Sequence, residues 1–581
     1  MRKKWMLKRI GADYEGLGKI FGLDPLVIRI LVNRGYDTEE KIRLFLSVDE
    51  TIFDCADGLP DIGSAVSALE RFRKEGKKIR IIGDYDIDGV CATAILLKAF
   101  KAYGMDADYV IPHRILDGYG LNANLIENAH NDGIEAIVTC DNGIAAFDEI
   151  ALAKQYGMEV IVTDHHEIPE RLPDALAIVD PKRQENTYPN PDICGAYVAY
   201  KVVSALLGLS RNNPDFANLK KELLILAGFA TVGDIMPLYA ENRALVSYCL
   251  AHIKEGTNTG LEALIRATET MDKKVSAYTI GFILGPCINA TGRLDSADHA
   301  LQLLMCDDKN RAMKLAQMLR EMNEERKDIT AKGQEEAVAM VKRQGMPDPV
   351  IVLYLPDVHE SIAGIIAGRL KEVFYRPSIV FTDTEGEVIK GSGRSIEAYD
   401  MYEKLSECRD LFEKFGGHPM AAGISMPKEN LEELRRRLNE NANLSEEDLT
   451  PTLIIDADMP FGYASMHLME ELAKLEPFGV KNEKPVFARK DVLITEAKLF
   501  GRNKDMAVFT VKEPSLGDRT YKLKLFRHLI EFHEYLDEIH GEGTAEALYR
   551  GKPASVKVAF YPEINDFRGE KNIEFIVTDF G

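Results

Sequence analysis

The sequence predicts a multidomain α/β protein: a parallel-sheet domain, a long helix, a smaller α/β domain and a C-terminal OB-like β-barrel. Three observations predict it. Between about residues 77 and 240, short β-branched runs alternate with helix-length segments. Residues 301–345 carry a charged helical pattern almost free of glycine and proline. Beyond about 450, apolar residues recur with period two.

Taken in order, residues 1–60 read as a helical lead-in, and 61–300 as the parallel-sheet domain. The runs "KIRIIG", "DADYVIP", "EAIVTC", "MEVIVTD" and "ALAIVD" are nearly continuous apolar strands, as a sheet covered by helices on both faces requires. In such sheets ligands bind beyond the carboxyl ends of the strands. The polar clusters fall there. "KIRIIG" leads into Asp84, Asp86 and Asp88, "EAIVTC" into Asp141, Asn142 and Gly143, and "MEVIVT" into Asp164, His165 and His166. A later apolar segment, "LLILAGFATVG", ends at Asp234. A lone "DNG" is more often a turn. Four clusters at four element ends, with paired histidines, point to a site.

The stretch 301–345 reads as a connecting helix whose charges form a solvated face. The α/β pattern resumes over 346–448 with "DPVIVLYL", the helix "SIAGIIAGRLKEVF" and "PSIVFTD". Over 449–581, Val556, Val558 and Phe560 alternate with polar residues, as do Ile573, Phe575 and Val577, which suits a small barrel.

With 581 residues, 46% of them hydrophobic, the chain can bury roughly three or four cores. No stretch approaches the roughly 20 apolar residues of a membrane helix. The start, "MRKKWMLKRIGADYEG", has neither the apolar core nor the cleavage site of a secretory leader. Eight cysteines without a CxxC pair fit a reducing compartment, so a cytoplasmic protein is expected. The net charge of −21 lowers the expectation of nucleic-acid binding without excluding a local basic groove or metal-bridged phosphates.

In "GDYDIDG", alternation would put Asp84, Asp86 and Asp88 on one face of an extended chain, where like charges repel unless a cation lies between them. Carboxylates with one or two imidazoles suit divalent Mn or Mg, whereas a structural zinc site recruits thiolates. The number of candidate ligands is enough for two ions, which can clamp the attacking and leaving oxygens of a phosphoryl displacement. Phosphodiester or pyrophosphate hydrolysis is the reaction class that fits. Glycine-opened turns that could cradle phosphate are expected at Asn289, Gly292 and Arg293, at Gly391 to Arg394, and at Gly416, Gly417 and His418. His113 and Arg114 in "IPHRILDGYG" follow the second strand at the same sheet edge.

The ordered set "GDYDIDG", "CDNG", "TDHH" and "GDIMPL" resembles the DHH phosphoesterase superfamily. Within it, the chain is similar to the RecJ-type single-strand-specific DNA exonucleases, supported by "IPHRILDGYGLN", "INATGRL", "VHESIAGIIAGRL", "GSGRSI", "FGGHPMAAG" and "EPFGVKNEKPVF". The resemblance implies Mn²⁺- or Mg²⁺-dependent 5′→3′ degradation of single-stranded DNA to mononucleotides, in recombinational and mismatch repair. It implies Asp84, Asp86, Asp88, Asp141, His165 and Asp234 as metal ligands, and His166 beside the scissile phosphate as charge stabiliser or proton donor. The same resemblance puts Ser392 and Arg394 at the terminal phosphate; Gly393, Gly417, His418, Arg114, Asn289 and Arg293, in the segments named above, are the further candidate substrate contacts. The C-terminal domain would be an OB-fold guiding the strand, with Phe526–Arg527 and Phe567–Arg568 as candidate contacts if these phenylalanines are not core. Two departures stand out: Ile82 occupies a position where many superfamily members have histidine, and "PFGVKNEKPVF" is looser than the usual form.

A helicase, a single-strand-binding protein and a monomeric state are the expected context. The rival readings are a small-molecule phosphodiesterase, a catalytically dead DNA-binding scaffold and a pyrophosphatase. The first and third do not need a C-terminal β domain, and the second should have lost metal ligands.

Overall fold

The computed structural model describes residues 3–47, 50–114, 116–118, 120–209, 216–345, 347–384, 387–513, 517–567 and 569–581. Arg568 and the Phe567 side chain, named above as a candidate pair, lie outside the described residues. The chain divides into two compact units, one of Ser47–Glu335 with Pro477–Asn482, the other of Met1–Leu46, Glu336–Glu476 and Glu483–Gly581.

The first unit is built on a five-stranded parallel sheet in the spatial order Asp106–Val110, Lys78–Ile82, Ala136–Cys140, Glu159–Thr163, Ala177–Val179. Its strands are the five apolar runs. Alternate residues feed two cores: Ile79, Ile81, Val138 and Ile161 pack on one face, and Ile82, Ile137, Val160 and Val162 on the other. That division explains why the runs are apolar throughout. Helices Ile87–Tyr103 and Gly195–Leu207 are buried nearly all round on the first face. Lys78–Ile82 pairs with strands on both sides, Asp106–Val110 and Ala136–Cys140. The chain thus reverses its direction of winding between the first and third strands, the switch point where open α/β sheets bind ligands.

In the second unit, the expected helical lead-in opens on a strand, Lys4–Leu7, paired in parallel with Thr452–Ile455. The smaller α/β domain has the strand order Lys414–His418, Ala421–Pro427, Val388–Arg394, Ser378–Asp383, Ile351–Tyr354, with only the last pair parallel. In the C-terminal domain, Phe487–Phe500 pairs with Met506–Lys512 on one side and Ala554–Phe567 on the other. With Thr520–Leu525 and Glu570–Phe580 these strands close a five-stranded barrel. The rings of Phe461, Phe560 and Phe575 fill it, with centroids 4.8 to 5.4 Å apart.

The connecting helix is real and long, Lys309–Arg343, or roughly 50 Å at 1.5 Å per residue. The boundary between the units falls within it, at Glu335 and Glu336. No helix among the described residues is long and apolar enough to cross a membrane.

Candidate metal centre

The three aspartates of "GDYDIDG" do not share one face of a strand. The strand stops at Ile82, and a helix starts at Ile87. Asp86 is its N-cap, accepting from the Asp88 N–H at 2.9 Å and the Gly89 N–H at 3.1 Å, so the extended reading fails where capping takes over. Asp88, in the first helical turn, is fully buried. Its two oxygens accept from the first amides of a neighbouring helix, Gly195 N–H at 2.6 Å and Ala196 N–H at 2.9 Å. Both glycines of the motif are forced by close approach. A methyl at Gly89 would stand 2.6 Å from the Asp84 backbone nitrogen, and one at Gly83 would overlap the Thr93 hydroxyl.

The third strand turns sharply at Asp141, whose φ of 61° is in the left-handed region that aspartate and asparagine tolerate best. Its N–H donates to the Thr163 carbonyl at 3.0 Å, which fixes the carboxylate at the carboxyl edge. From the next strand end, His165 Nε2 lies 3.0 Å from Asp141 Oδ1, 3.6 Å from Asp88 Oδ2 and 3.8 Å from Asp234 Oδ2. Three ligand sets have donor atoms within 4.8 Å of one another: Asp84, Asp86 and Asp141; Asp88, His165 and Asp234; and Asp141, His165 and His166. All six sequence-expected ligands and His166 converge at one place.

Electrostatically, this cluster is poised for a cation. Burial, and then neighbouring carboxylates, push Asp84, Asp141 and Asp234 well above the usual carboxylate range, with Asp86 raised for the same reasons. Burial lowers His165, keeping its ring neutral and able to ligate. His166 behaves in the opposite way: burial works against its charge, but the hydrogen bond to Asp164 and the surrounding carboxylates hold it up at about 9.

Asp84 Oδ1 is buried without a hydrogen-bond partner, an arrangement that costs free energy unless a cation meets it. Ile82, the departure noted above, points into the core on the far face, and Asp84 stands in the cluster. The donors are carboxylate oxygens and imidazole nitrogens. Among the described residues no cysteine joins the three ligand sets, and the thiols of Cys91, Cys140 and Cys194 are buried beside them. The residues present therefore fit Mn²⁺ or Mg²⁺ better than zinc.

Three family models match successive segments: the DHH family N-terminal domain at residues 78–231, the DHHA1 domain at 348–443 and the RecJ OB domain at 455–579. The single-stranded-DNA-specific exonuclease RecJ of Salmonella typhimurium is 32% identical over 605 residues, covering 100% of this chain and 99% of that protein. The chain belongs to the RecJ family. The Bacillus subtilis RecJ is 36% identical over 518 residues, covering 88% of this chain, which spans 65% of that relative's length. The crystal structure of RecJ in complex with Mn²⁺ from Thermus thermophilus matches with a TM-score of 0.82 at 26% identity, covering 100% of this chain and 79% of that one. The Mg²⁺ complex matches at 0.76 and 25%, covering 99% and 78%.

Several of the expected substrate contacts sit differently from expectation. Asn289, Gly292 and Arg293 lie inside the helix Gly285–Leu294 instead of a turn ahead of one. Asn289 Oδ1 accepts the Ile87 N–H at 2.7 Å, so this side chain supports the helix that carries Asp86 and Asp88. Gly292 is there because a Cβ would overlap the Tyr85 carbonyl. Arg114 lies over the Tyr85 ring, 5.0 Å from its centroid, at the edge of the cluster. His113 bonds locally: its backbone N–H donates to Asp117 at 2.8 Å, and its ring Nδ1 accepts from the Leu116 N–H at 3.3 Å. Asn289→Ala leaves a buried N–H without its acceptor and should cost about 1–3 kcal/mol. A shift in the denaturant midpoint reads this; an unchanged midpoint contradicts the supporting role.

In the other unit, "GSGR" forms a strand, Val388–Arg394, not a glycine-opened turn. Gly391 and Gly393 face the core against Phe381 and Met401, while Ser392 and Arg394 point to the opposite face. Gly416, Gly417 and His418 likewise form a strand in a hairpin, with no helix following. Gly417 has a φ of 152°, a Cβ there would collide with the Ala421 carbonyl, and His418 is exposed.

Sequence reasoning put Asp164 in a strand-end cluster but gave it no role. Its Oδ1 accepts from the His165 N–H at 2.8 Å and lies 2.7 Å from His166 Nδ1, and its Oδ2 accepts the Ile144 N–H at 2.9 Å. Burial pushes this carboxyl up, but the His166 hydrogen bond and charge outweigh that, leaving it below the ordinary range. The aspartate opening "DHH" was the available signal. The fifth strand also ends in a buried aspartate, Asp180, which burial and Asp164 push up to about 7.

Proposed function

We propose that this chain degrades single-stranded DNA from the 5′ end to mononucleotides, with two divalent ions held by Asp84, Asp86, Asp88, Asp141, His165 and Asp234. The coarser reading follows from family membership: the protein is a metal-dependent single-stranded-DNA exonuclease whose cofactor is Mn²⁺ or Mg²⁺. The observation that carries the finer reading is the convergence of the first two ligand sets at the sheet's switch point. Bound there, divalent cations supply Lewis acidity to the phosphodiester and make hydroxide available near neutral pH.

The chain's own residues do the rest. Asp88 is locked by two helix amides and Asp86 by its cap bonds, so neither carboxylate needs to reorganise on binding. His166, which Asp164 holds towards its protonated form, offers charge to the phosphate or a proton to the leaving oxygen. Arg114, Arg293, Ser392, Arg394 and His418 are the substrate contacts in this reading, with Gly393 and Gly417 shaping the backbone and Asn289 the cluster. The barrel, with exposed Phe526 beside Arg527, is the surface for the strand. Residues 61–300 carry catalysis, 346–448 the terminal nucleotide and 449–581 the strand. Recombinational and mismatch repair in the cytoplasm, as a monomer working with a helicase and a single-strand-binding protein, is the setting this activity suits.

Purified protein with Mn²⁺, given 5′-labelled single-stranded, duplex and dinucleotide substrates, should release labelled mononucleotide from the single strand first. Preference for dinucleotides, or release from the 3′ end, would overturn the reading. Affinity for single-stranded DNA should also fall with added salt despite the charge of −21, with a log–log slope of about −0.7 per phosphate contact. A flat response in a binding titration would exclude a basic path.

A further inference from the structure

We infer that Gly364, in the helix Glu360–Phe374, is a positioning residue that seats the Arg394 guanidinium beside Ser392 for the 5′-terminal phosphate. This rests on the reading of Ser392 and Arg394 as the terminal-phosphate contacts.

Alternation along Val388–Arg394 turns Ile389, Gly391 and Gly393 to the core and Lys390, Ser392 and Arg394 to the other face. The helix Glu360–Phe374 covers that second face, with Glu360 paired to Lys390 at 2.9 Å. Residues four apart share one side of a helix, so Glu360, Gly364 and Gly368 form a row. A methyl at Gly364 would stand 3.0 Å from Arg394 Nη2, 3.4 Å from its Cζ and 3.4 Å from Ser392 Cβ. At Gly368, nothing lies within 4 Å of where a Cβ would be.

Glycine inside a helix costs roughly 0.5–1 kcal/mol relative to alanine. Gly364 thus stands where alanine would favour the helix but crowd the guanidinium. Arg394 Nη1 donates to the Gly393 carbonyl at 2.7 Å, which ties the group close to its own strand and against the helix. What must yield to a methyl is the end of a flexible side chain, not backbone. The substitution therefore moves Arg394 without breaking the fold, and that separates positioning from packing.

The test uses the full chain with Mn²⁺ on oligonucleotides bearing a 5′-phosphate or a 5′-hydroxyl, with thermal unfolding measured alongside. Gly364→Ala should raise KM for the 5′-phosphorylated strand roughly tenfold, as expected for a weakened hydrogen bond to a charged group. Its kcat and its KM for the 5′-hydroxyl strand should hold, and its unfolding temperature should not fall. Gly368→Ala, one turn along in open space, should change none of these. An unchanged KM in Gly364→Ala, or a KM rise accompanied by a lower unfolding temperature, overturns the inference. Arg394→Ala separates the two readings: if it loses the preference for a 5′-phosphate while Gly364→Ala keeps it, only the positioning role is wrong. If Arg394→Ala keeps that preference, the phosphate subsite is wrong and the inference goes with it.

Discussion

Asp141→Asn should abolish turnover and make the metal-free protein more stable. Asparagine is the informative replacement because position 141 has a φ of 61°, which alanine would strain. Burial and the neighbouring Asp88, Asp86, Asp84 and Asp234 push the Asp141 carboxyl well up. A carboxyl whose folded pKa is raised contributes stability that is fully present below its unfolded value of about 3.9. That contribution is lost as pH rises through the raised folded value. Above both, the metal-free cluster carries unrelieved repulsion, and removing one charge relieves part of it. In the proposed site the same carboxylate is a ligand, and losing several kcal/mol of charge stabilisation at the phosphate corresponds to about a thousandfold in rate or more. Divalent ions at about a hundred times their Kd stabilise the folded state by about 2.7 kcal/mol. The variant should lose most of that gain. Thermal unfolding with EDTA and with Mn²⁺, beside single-strand hydrolysis, reads all three effects. Near-normal activity, or a less stable metal-free variant, would move Asp141 out of the ligand set.

The sheet and the position of the site were legible because both follow from one-dimensional patterns. Five apolar runs gave the five strands, and the rule that ligands lie beyond strand ends located Asp84, Asp141 and His165 before any contact was visible. What was not legible depends on neighbours distant in sequence. Asp86 and Asp88 look like alternate residues of a strand until a helix cap and the amides of Gly195 and Ala196 claim them. Gly391, Gly393 and Gly417 carry the composition of phosphate-binding turns, yet each is glycine because of a close approach inside a sheet, to Phe381, Met401 and Ala421. Asn289 and Gly292 would weaken an isolated helix, but Ile87 and Tyr85 give each a tertiary reason to be there. Glycine in this chain marks crowding as often as turning, and only the partner distinguishes them.

Asp164→Asn should separate orientation of His166 from its charge. The carboxylate is buried, lies 2.7 Å from His166 Nδ1 and accepts the His165 and Ile144 N–H groups, so it holds the paired histidines in place. It is also the main reason, against burial, that His166 stays protonated up to about 9. Asparagine keeps the shape and an acceptor but removes the charge, and the His166 pKa should fall towards or below its ordinary value of about 6.5. At pH 8 the protonated fraction would then drop about 30-fold, while at pH 6 it would drop by only about a quarter. The kcat/KM ratio of native to variant protein should accordingly widen as pH rises from 6 to 8. Bound cations would lower both pKa values and shift the window without reversing its order. Stability carries the same signature in the metal-free protein. A histidine with a raised folded pKa contributes stability fully present below about 6.5 and lost as pH rises through about 9, while the depressed Asp164 carboxyl contributes only above its unfolded value of about 3.9, so the variant's deficit should be largest between about pH 4 and 6.5 and shrink on either side. Imidazole NMR titration of His166, paired with the two pH profiles, checks the assignment. Parallel rate profiles with an unmoved titration would mean that Asp164 serves only to hold the loop.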